Sequence, residues 1–192
     1  MKYSLRSIKN SFIRRLKAPR MNWGYQDSSG AWRTRTRISD TVYFNHPEKI
    51  AIGENVFIGH YCILDGTGGL EIGEGCQIAG WNGIYSHSSH ISIRLYGSHY
   101  HDVPEYEKAG YKIEPVVIGK YVFVGAGAMI FPGVTIGDGA LIHAGVIVTD
   151  DVGEFEIVTG CPAGVIDDTR KLDRRYLDDP QLRNWYEEWQ KK

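Results

Sequence analysis

From Ile118 onward the sequence carries an aliphatic residue at every sixth position: Ile118, Val124, Ile130, Ile136, Ile142 and Val148. Neither the 3.6-residue period of a helix nor the two-residue period of a flat strand produces that spacing. One short strand plus one corner does. Three such hexads therefore predict a triangular coil of about 18 residues whose aliphatic side chains stack inside. Four places after each aliphatic stand Val122, Ala128, Val134, Ala140, Val146 and Val152, small enough for a tight corner. Gly119, Gly125 and Gly137 directly follow an aliphatic, where a missing Cβ lets backbone turn or pack closely. The expected fold class is all-β, a parallel β-helix.

The same clock runs earlier, at Ile52, Ile58 and Leu64 and, after a two-residue insertion, at Ile72, Ile78 and Ile84. The two runs together predict about four coils, a prism on the order of 20 Å tall at roughly 4.8 Å per coil. Two interruptions stand out. Asp65-Gly66-Thr67-Gly68-Gly69 is an enlarged corner, and residues 85–117 form a long excursion holding His87, His90, His99 and His101, four of the seven histidines. Loops that break a regular scaffold commonly carry function.

At 192 residues the chain is long enough for one domain with appendages. Residues 1–47 read as an N-terminal segment, 48–167 as the β-helix with its extended loop, and 168–192 as a helical tail. Residues 1–20 carry Lys2, Arg6, Lys9, Arg14, Arg15, Lys17 and Arg20 without an acid, while Leu5, Ile8, Phe12 and Leu16 recur at near-helical spacing. That pattern predicts an amphipathic helix packing on its own assembly, with peripheral contact to an anionic membrane surface or a phosphorylated substrate as the alternative. Residues 21–47, including the alternating Arg33-Thr34-Arg35-Thr36-Arg37, predict irregular structure and a short two-faced strand. Asp179 and Pro180 predict a helix start, followed by Leu182, Trp185 and Trp189 on one face. This tail is expected to cover the open end of the last coil.

Composition removes several function classes. A net charge of −1 and a pI near 6.7 argue against a general nucleic-acid binder. No apolar run approaches the roughly 18 residues of a membrane span and no signal peptide is visible, so the expected compartment is the cytoplasm. Cys62, Cys76 and Cys161 are odd in number and lack a CxxC pattern, which points away from a disulfide framework or zinc ribbon.

The histidines of Ile84-Tyr85-Ser86-His87-Ser88-Ser89-His90 come where the chain leaves the prism. An imidazole beside a substrate hydroxyl can take its proton near neutral pH. Asn82 and Ser88 also occupy positions that are elsewhere mostly apolar, and so offer polar groups to orient a base or an acceptor.

The hexads, the excursion rooted at His90, Val124-Gly125-Ala126-Gly127, Pro132-Gly133-Val134-Thr135-Ile136-Gly137-Asp138 and Cys161-Pro162-Ala163 resemble the left-handed β-helix acetyltransferases, among them the galactoside, maltose and xenobiotic enzymes. The resemblance covers about residues 50–167. It implies a left-handed coil, a homotrimer with active sites between adjacent prisms, and acetyl-CoA as donor, with no metal required, while the expected acceptor, a saccharide hydroxyl, rests on rings such as Trp81, Tyr85, Tyr96, Tyr100 and Tyr106 in or beside the long loop, on which sugars stack. It implies His90 as the catalytic base, six places after Ile84, with His87 second. Gly125, Ala126, Ala144, Gly145 and Thr149, with the Pro162-Ala163 turn, match the family's pantetheine and nucleotide contacts. Asp65, His60, Asn82 and Tyr85 are the expected acceptor contacts.

This chain departs from the family in several places. Gly59 and His60 stand where the galactoside enzyme has an acceptor-binding asparagine, and Phe123 stands where tryptophan is common. The basic residues after the proline turn are missing, which leaves Arg170, Lys171 or a neighbouring subunit for the coenzyme A phosphates. The alternatives are N-acetylation of an amino sugar, a γ-carbonic-anhydrase-like metal enzyme using three histidines, and a non-catalytic binding prism.

Overall fold

A computed structural model of the chain describes residues 18–191. The amphipathic helix expected over residues 1–20 lies almost wholly outside them. Three parallel walls form a column. On the first wall Ile38, Ile58, Ile78, Val124, Ile142 and Val158 stack in register. The second stacks Phe44, Leu64, Ile84, Ile130 and Val148. The third stacks Ile52, Ile72, Ile118 and Ile136, with a bridge to Val152. Ile58, Leu64, Ile78, Ile84, Val124, Ile130, Ile142 and Val148 have no exposed surface at all. A six-residue period thus yields a continuous aliphatic core because each strand contributes at least one inward side chain per coil, and the third wall a second, at Ile50, Leu70 and Val116.

The column begins earlier than the clock at Ile52 suggested. Residues 32–39 form a strand whose Ile38 pairs with Ile58, and Tyr43–Asn45 form the next. The period was masked there because an aromatic, Phe44, replaces an aliphatic, and because two extra residues separate it from Ile52, as they separate Leu64 from Ile72. Thr36, fully buried, satisfies the first edge by donating to the Gly53 carbonyl at 2.8 Å. Met21–Gln26 adds an antiparallel strand outside it.

The corners behave as their residue sizes require. Val56, Cys62, Cys76, Val122, Ala128, Val134, Ala140 and Val146 are each at most 1% exposed. Edge 1–2, between the first and second walls, carries residues 59–62, 79–82, 125–128, 143–146 and 159–163. Edge 2–3 carries residues 66–69 and 131–134 and the root of the excursion, and edge 3–1 carries residues 53–56, 73–76, 119–122, 137–140 and 153–155. Every insertion into the period falls on edge 2–3.

The tail differs from its expected position. Asp179 caps the helix Pro180–Gln190 by accepting from the backbone N–H of Gln181 and Leu182, as its sequence implies. The helix then lies along edge 3–1, where the Trp189 ring meets Tyr121 at 4.6 Å and Phe155 at 5.8 Å. The last rung of the first wall is closed instead by the strand Gly164–Asp168, which pairs antiparallel with Glu156–Thr159. That pairing satisfies the edge groups the tail helix was expected to shield.

Candidate functional site

Asp65 ends its strand on the second wall at 1% exposure, directly above Asn45 in register. A buried carboxylate needs donors, and the enlarged corner and excursion root supply them. Oδ1 accepts from Asn45 Nδ2 at 2.8 Å and from the Thr67 hydroxyl at 2.6 Å. Oδ2 accepts from the Ser86 N–H at 2.9 Å, and the Ser86 hydroxyl lies between it and the Asp65 carbonyl. Burial alone would raise the acid's pKa, but these donors together with His87 hold it well below the usual carboxylate range.

Gly68 is what lets the corner approach so closely. Its N–H donates to the Ser86 hydroxyl at 2.8 Å, and a Cβ there would stand 2.5 Å from the Ser86 carbonyl oxygen. The excursion is pinned at the same place, because His87–Ser88 pairs antiparallel with Lys112–Ile113. The loop thus leaves and re-enters the column through a two-stranded clasp.

That clasp aims His87 at the carboxylate. His87 Nδ1 lies 2.6 Å from Asp65 Oδ2. An ionised carboxylate only accepts, so Nδ1 carries the proton and Nε2 presents its lone pair outward. The Tyr111 ring stacks on the imidazole at 6.0 Å and 12°, and fixes its plane. An imidazole held by a buried carboxylate and a ring can accept a proton at Nε2 and be stabilised as the cation.

The other candidate histidine is held differently. His90 is exposed, and its Nδ1 faces only the Ser88 hydroxyl at 2.8 Å. The family resemblance implies His90, through its distance from Ile84, whereas the geometry gives the carboxylate partner to His87. Asn45, Thr67, Ser86 and Tyr111 were not singled out from sequence. The signal available was that the corner at Asp65 and the excursion both interrupt the period, and both fall on one edge.

The remaining candidates divide between two edges. Gly125, Ala126, Ala144, Gly145, Pro162 and Ala163 line edge 1–2 in successive coils, tied by Gly145 N–H to the Ala126 carbonyl and Ala163 N–H to the Ile147 carbonyl. Nothing lies within 4 Å of where a Cβ would sit on Gly127 or Gly145, so this stretch of edge is open. His60 lies lower on the same edge, with Nδ1 2.6 Å from the Ser39 hydroxyl. Thr149 stands across the second wall, with its hydroxyl on Asp150. Tyr85 stays beside the clasp with its ring over Gly83.

Two expectations need correction. Asn82 is 1% exposed, and both ends of its amide are taken: Nδ2 donates to the Ala79 carbonyl and Oδ1 accepts from the Ala128 N–H. It staples a corner and, buried there, presents no polar atom at the surface to an acceptor. Arg170 and Lys171 pair with Asp168 and Asp167, and Arg170 lies over Phe155 on edge 3–1 rather than on the open edge 1–2. A cleft of about 820 Å³ beside the tail helix is lined by Arg35, Tyr121, Phe155, Trp185 and Trp189 and contains none of the groups around His87. Among the described residues, no three His, Cys, Asp or Glu cluster as metal ligands, and no helix is long and apolar enough to cross a membrane.

Comparison with known proteins bears on the column rather than on the site. The pattern of the hexapeptide repeat of succinyl-transferase matches residues 49–85 and 115–150, the column on either side of the excursion. The dTDP-4-amino-4,6-dideoxy-D-glucose acyltransferase of Escherichia coli is 32% identical over 158 residues, covering 70% of this chain and 80% of that protein. Nodulation protein L of Rhizobium meliloti (strain 1021) is 40% identical over 117 residues, covering 60% of this chain and 58% of that protein. A galactoside acetyltransferase solved in complex with coenzyme A superposes with a TM-score of 0.57 at 28% identity, covering 69% of this chain and 62% of that one. The chain therefore spans less than two thirds of two of these three relatives. The shared column winds as a left-handed β-helix. With the repeat, the fold and a relative matched over most of both lengths, this chain belongs to the hexapeptide-repeat acetyltransferase family.

Proposed function

We propose that the protein transfers an acetyl group from acetyl-CoA to a sugar, with His87 as general base and Asp65 as the group that orients it. The observation that carries this reading is the 2.6 Å contact between His87 Nδ1 and the buried Asp65 carboxylate on edge 2–3. His87 takes the proton of the acceptor at Nε2, the acceptor attacks the thioester carbonyl, and the imidazolium returns the proton to the departing thiolate. Base catalysis of this kind contributes roughly 10² to 10⁴-fold. Asp65, ionised throughout, stabilises the imidazolium while the proton is held.

A single copy separates the two halves of this chemistry. His87 stands on edge 2–3 and the open small-residue stretch on edge 1–2, with the whole second wall between them. A closed three-fold ring with its axis along the column would bring edge 1–2 of each copy against edge 2–3 of the next. The backbone of Gly125, Ala126, Ala144 and Gly145 would then receive the thin pantetheine arm, which bulky side chains would exclude. Pro162 and Ala163 would stand nearest the nucleotide, and a neighbouring copy would supply the cations for its phosphates.

The acceptor atom is a hydroxyl in the first reading. Amine acylation is the second, favoured by the relative matched over 80% of its length, whose name gives an amino sugar as substrate. Thiol release from acetyl-CoA is to be measured against paired hydroxy and amino sugars, with the product identified by mass. Acetylated sugar that depends on His87 is the expected result. No acceptor-dependent release with either class overturns the proposal.

A further inference from the structure

Edge 1–2 changes character along its length in a way the donor does not explain. In successive coils one corner position, tied to the coil below by its N–H, is Tyr61, Trp81, Gly127 and Gly145. The backbone there is left-handed throughout, with φ of 62°, 62°, 72° and 72°. Glycine adopts that conformation without cost, whereas a bulky residue rarely does. The upper two coils use glycine. The lower two hold large rings there instead, and leave them in solvent at 49% and 66% exposure. The rings stack at 5.9 Å and 15°, so they form one flat platform, and His60 stands 6.2 Å from Tyr61.

Edge 3–1 shows what such rings do when they are structural. Tyr121 and Phe155 occupy the equivalent left-handed corner there, and Trp189 of the tail covers both. Among the described residues nothing covers Tyr61 and Trp81. A strained, exposed aromatic pair held flat is a surface kept for a partner.

Height along the column identifies that partner. Trp81 lies in the same coil as Ile84, which leads into His87, with the open glycine stretch in the coils above and Tyr61 with His60 in the coil below. A ring closed around an axis parallel to the column sets equal coils side by side. His87 of one copy then faces Trp81 of the next, with the donor stretch above and the aromatic pair level with it and below. We infer that the Tyr61–Trp81 pair is the acceptor platform, stacking a hexopyranose ring whose reactive group faces the neighbouring His87, with His60 as its polar neighbour. The inference rests on the acyl-transfer reading, and it adds the residues that hold and select the sugar. Pyranose rings present apolar C–H faces to aromatic side chains, and a platform at a subunit seam leaves one ring edge free for chemistry.

The test uses Trp81→Gly, which gives this corner the residue found in the coils above and so suits the backbone. Binding of free hexopyranosides and of nucleotide-linked hexoses to the full chain is titrated by isothermal calorimetry, in a His87→Ala background with coenzyme A present. The expected result is saturable sugar binding, weakened at least tenfold by Trp81→Gly, with coenzyme A affinity within twofold and the oligomer unchanged. Which of the two sugar sources binds more tightly tells whether the acceptor is free or nucleotide-linked. Sugar binding that survives Trp81→Gly, no binding of either source to the parent, or dissociation of the oligomer by the substitution would each overturn the platform. Acceptor-dependent thiol release by the protein with its native His87 is scored separately, so a failed platform and a failed acyl-transfer reading give different results.

Discussion

Asp65→Asn removes the charge behind His87 while keeping the shape of the side chain. With the Asp65 side chain 2% exposed and His87 31% exposed, an effective dielectric near 20 is appropriate to the pair. Two unit charges about 4 Å apart then attract by about 4 kcal/mol, which is the stabilisation available to the imidazolium when it forms. Losing it predicts a fall of roughly 10³-fold in kcat at neutral pH, with much smaller changes in KM for either substrate. The amide also puts an NH₂ in place of one of the two oxygens, Oδ1 accepting from Asn45 and Thr67 or Oδ2 accepting from Ser86 and facing His87, so at least one donor is left unpaired, at about 1–3 kcal/mol of stability. Stopped assays of thiol release give kcat, and a thermal melt of the same preparation reads the fold. A variant that keeps kcat within threefold of the parent would refute the electrostatic role of Asp65. A variant that has merely unfolded is recognised by its melt and replaced by Asp65→Glu, for which misplacement of the carboxylate should again lower kcat more than stability.

Other consequences follow from the same contacts. Because donors hold Asp65 below its ordinary pKa of 3.8 in the folded state, its contribution to stability is complete above about pH 4 and is lost as pH falls through the lower folded value. The acid limb of a pH–stability curve should therefore flatten in Asp65→Asn. Gly68→Ala should cost roughly 1–3 kcal/mol and displace the clasp, because its Cβ meets backbone oxygens of Ser86 and Glu114 at 2.5 and 2.8 Å; chemical denaturation with a parallel activity assay checks both effects. Ile130→Ala, in the middle of the column, should cost about 2–5 kcal/mol while leaving the catalytic constants of the folded fraction unchanged. Gly145→Asn suits a φ of 72° yet obstructs the open edge, so it should raise KM for acetyl-CoA severalfold without lowering the melting temperature by more than a few degrees.

The column was legible because its signal is repeated. Each inward aliphatic from Ile52 to Val148 restates the same period, and a single substitution cannot erase it. The first coil was hidden where Phe44 replaces an aliphatic and two residues intervene before Ile52, since a periodic reading needs both the residue type and the count to hold. The site was harder to read. His87, His90 and Asp65 could be named from the interruptions, but choosing between the histidines needs the direction of two imidazoles. His87 and His90 lie three positions apart, and that spacing carries no information on which one meets Asp65, 22 positions before His87. Asn82 illustrates the opposite error. A polar residue at a corner looked available for substrate, but a corner also leaves backbone groups of Ala79 and Ala128 unpaired, and the amide serves those. The clasp and Tyr111 depend on how the 33-residue excursion of residues 85–117 folds back on its own root, which composition does not encode.

The most direct measurement sets His87→Ala beside His90→Ala in one assay of acceptor-dependent thiol release from acetyl-CoA, with both proteins matched for melting temperature and oligomeric state. The account predicts a loss of about 10² to 10⁴-fold in kcat for His87→Ala and less than tenfold for His90→Ala. Near-parent turnover in His87→Ala, with the large loss in His90→Ala instead, would contradict it.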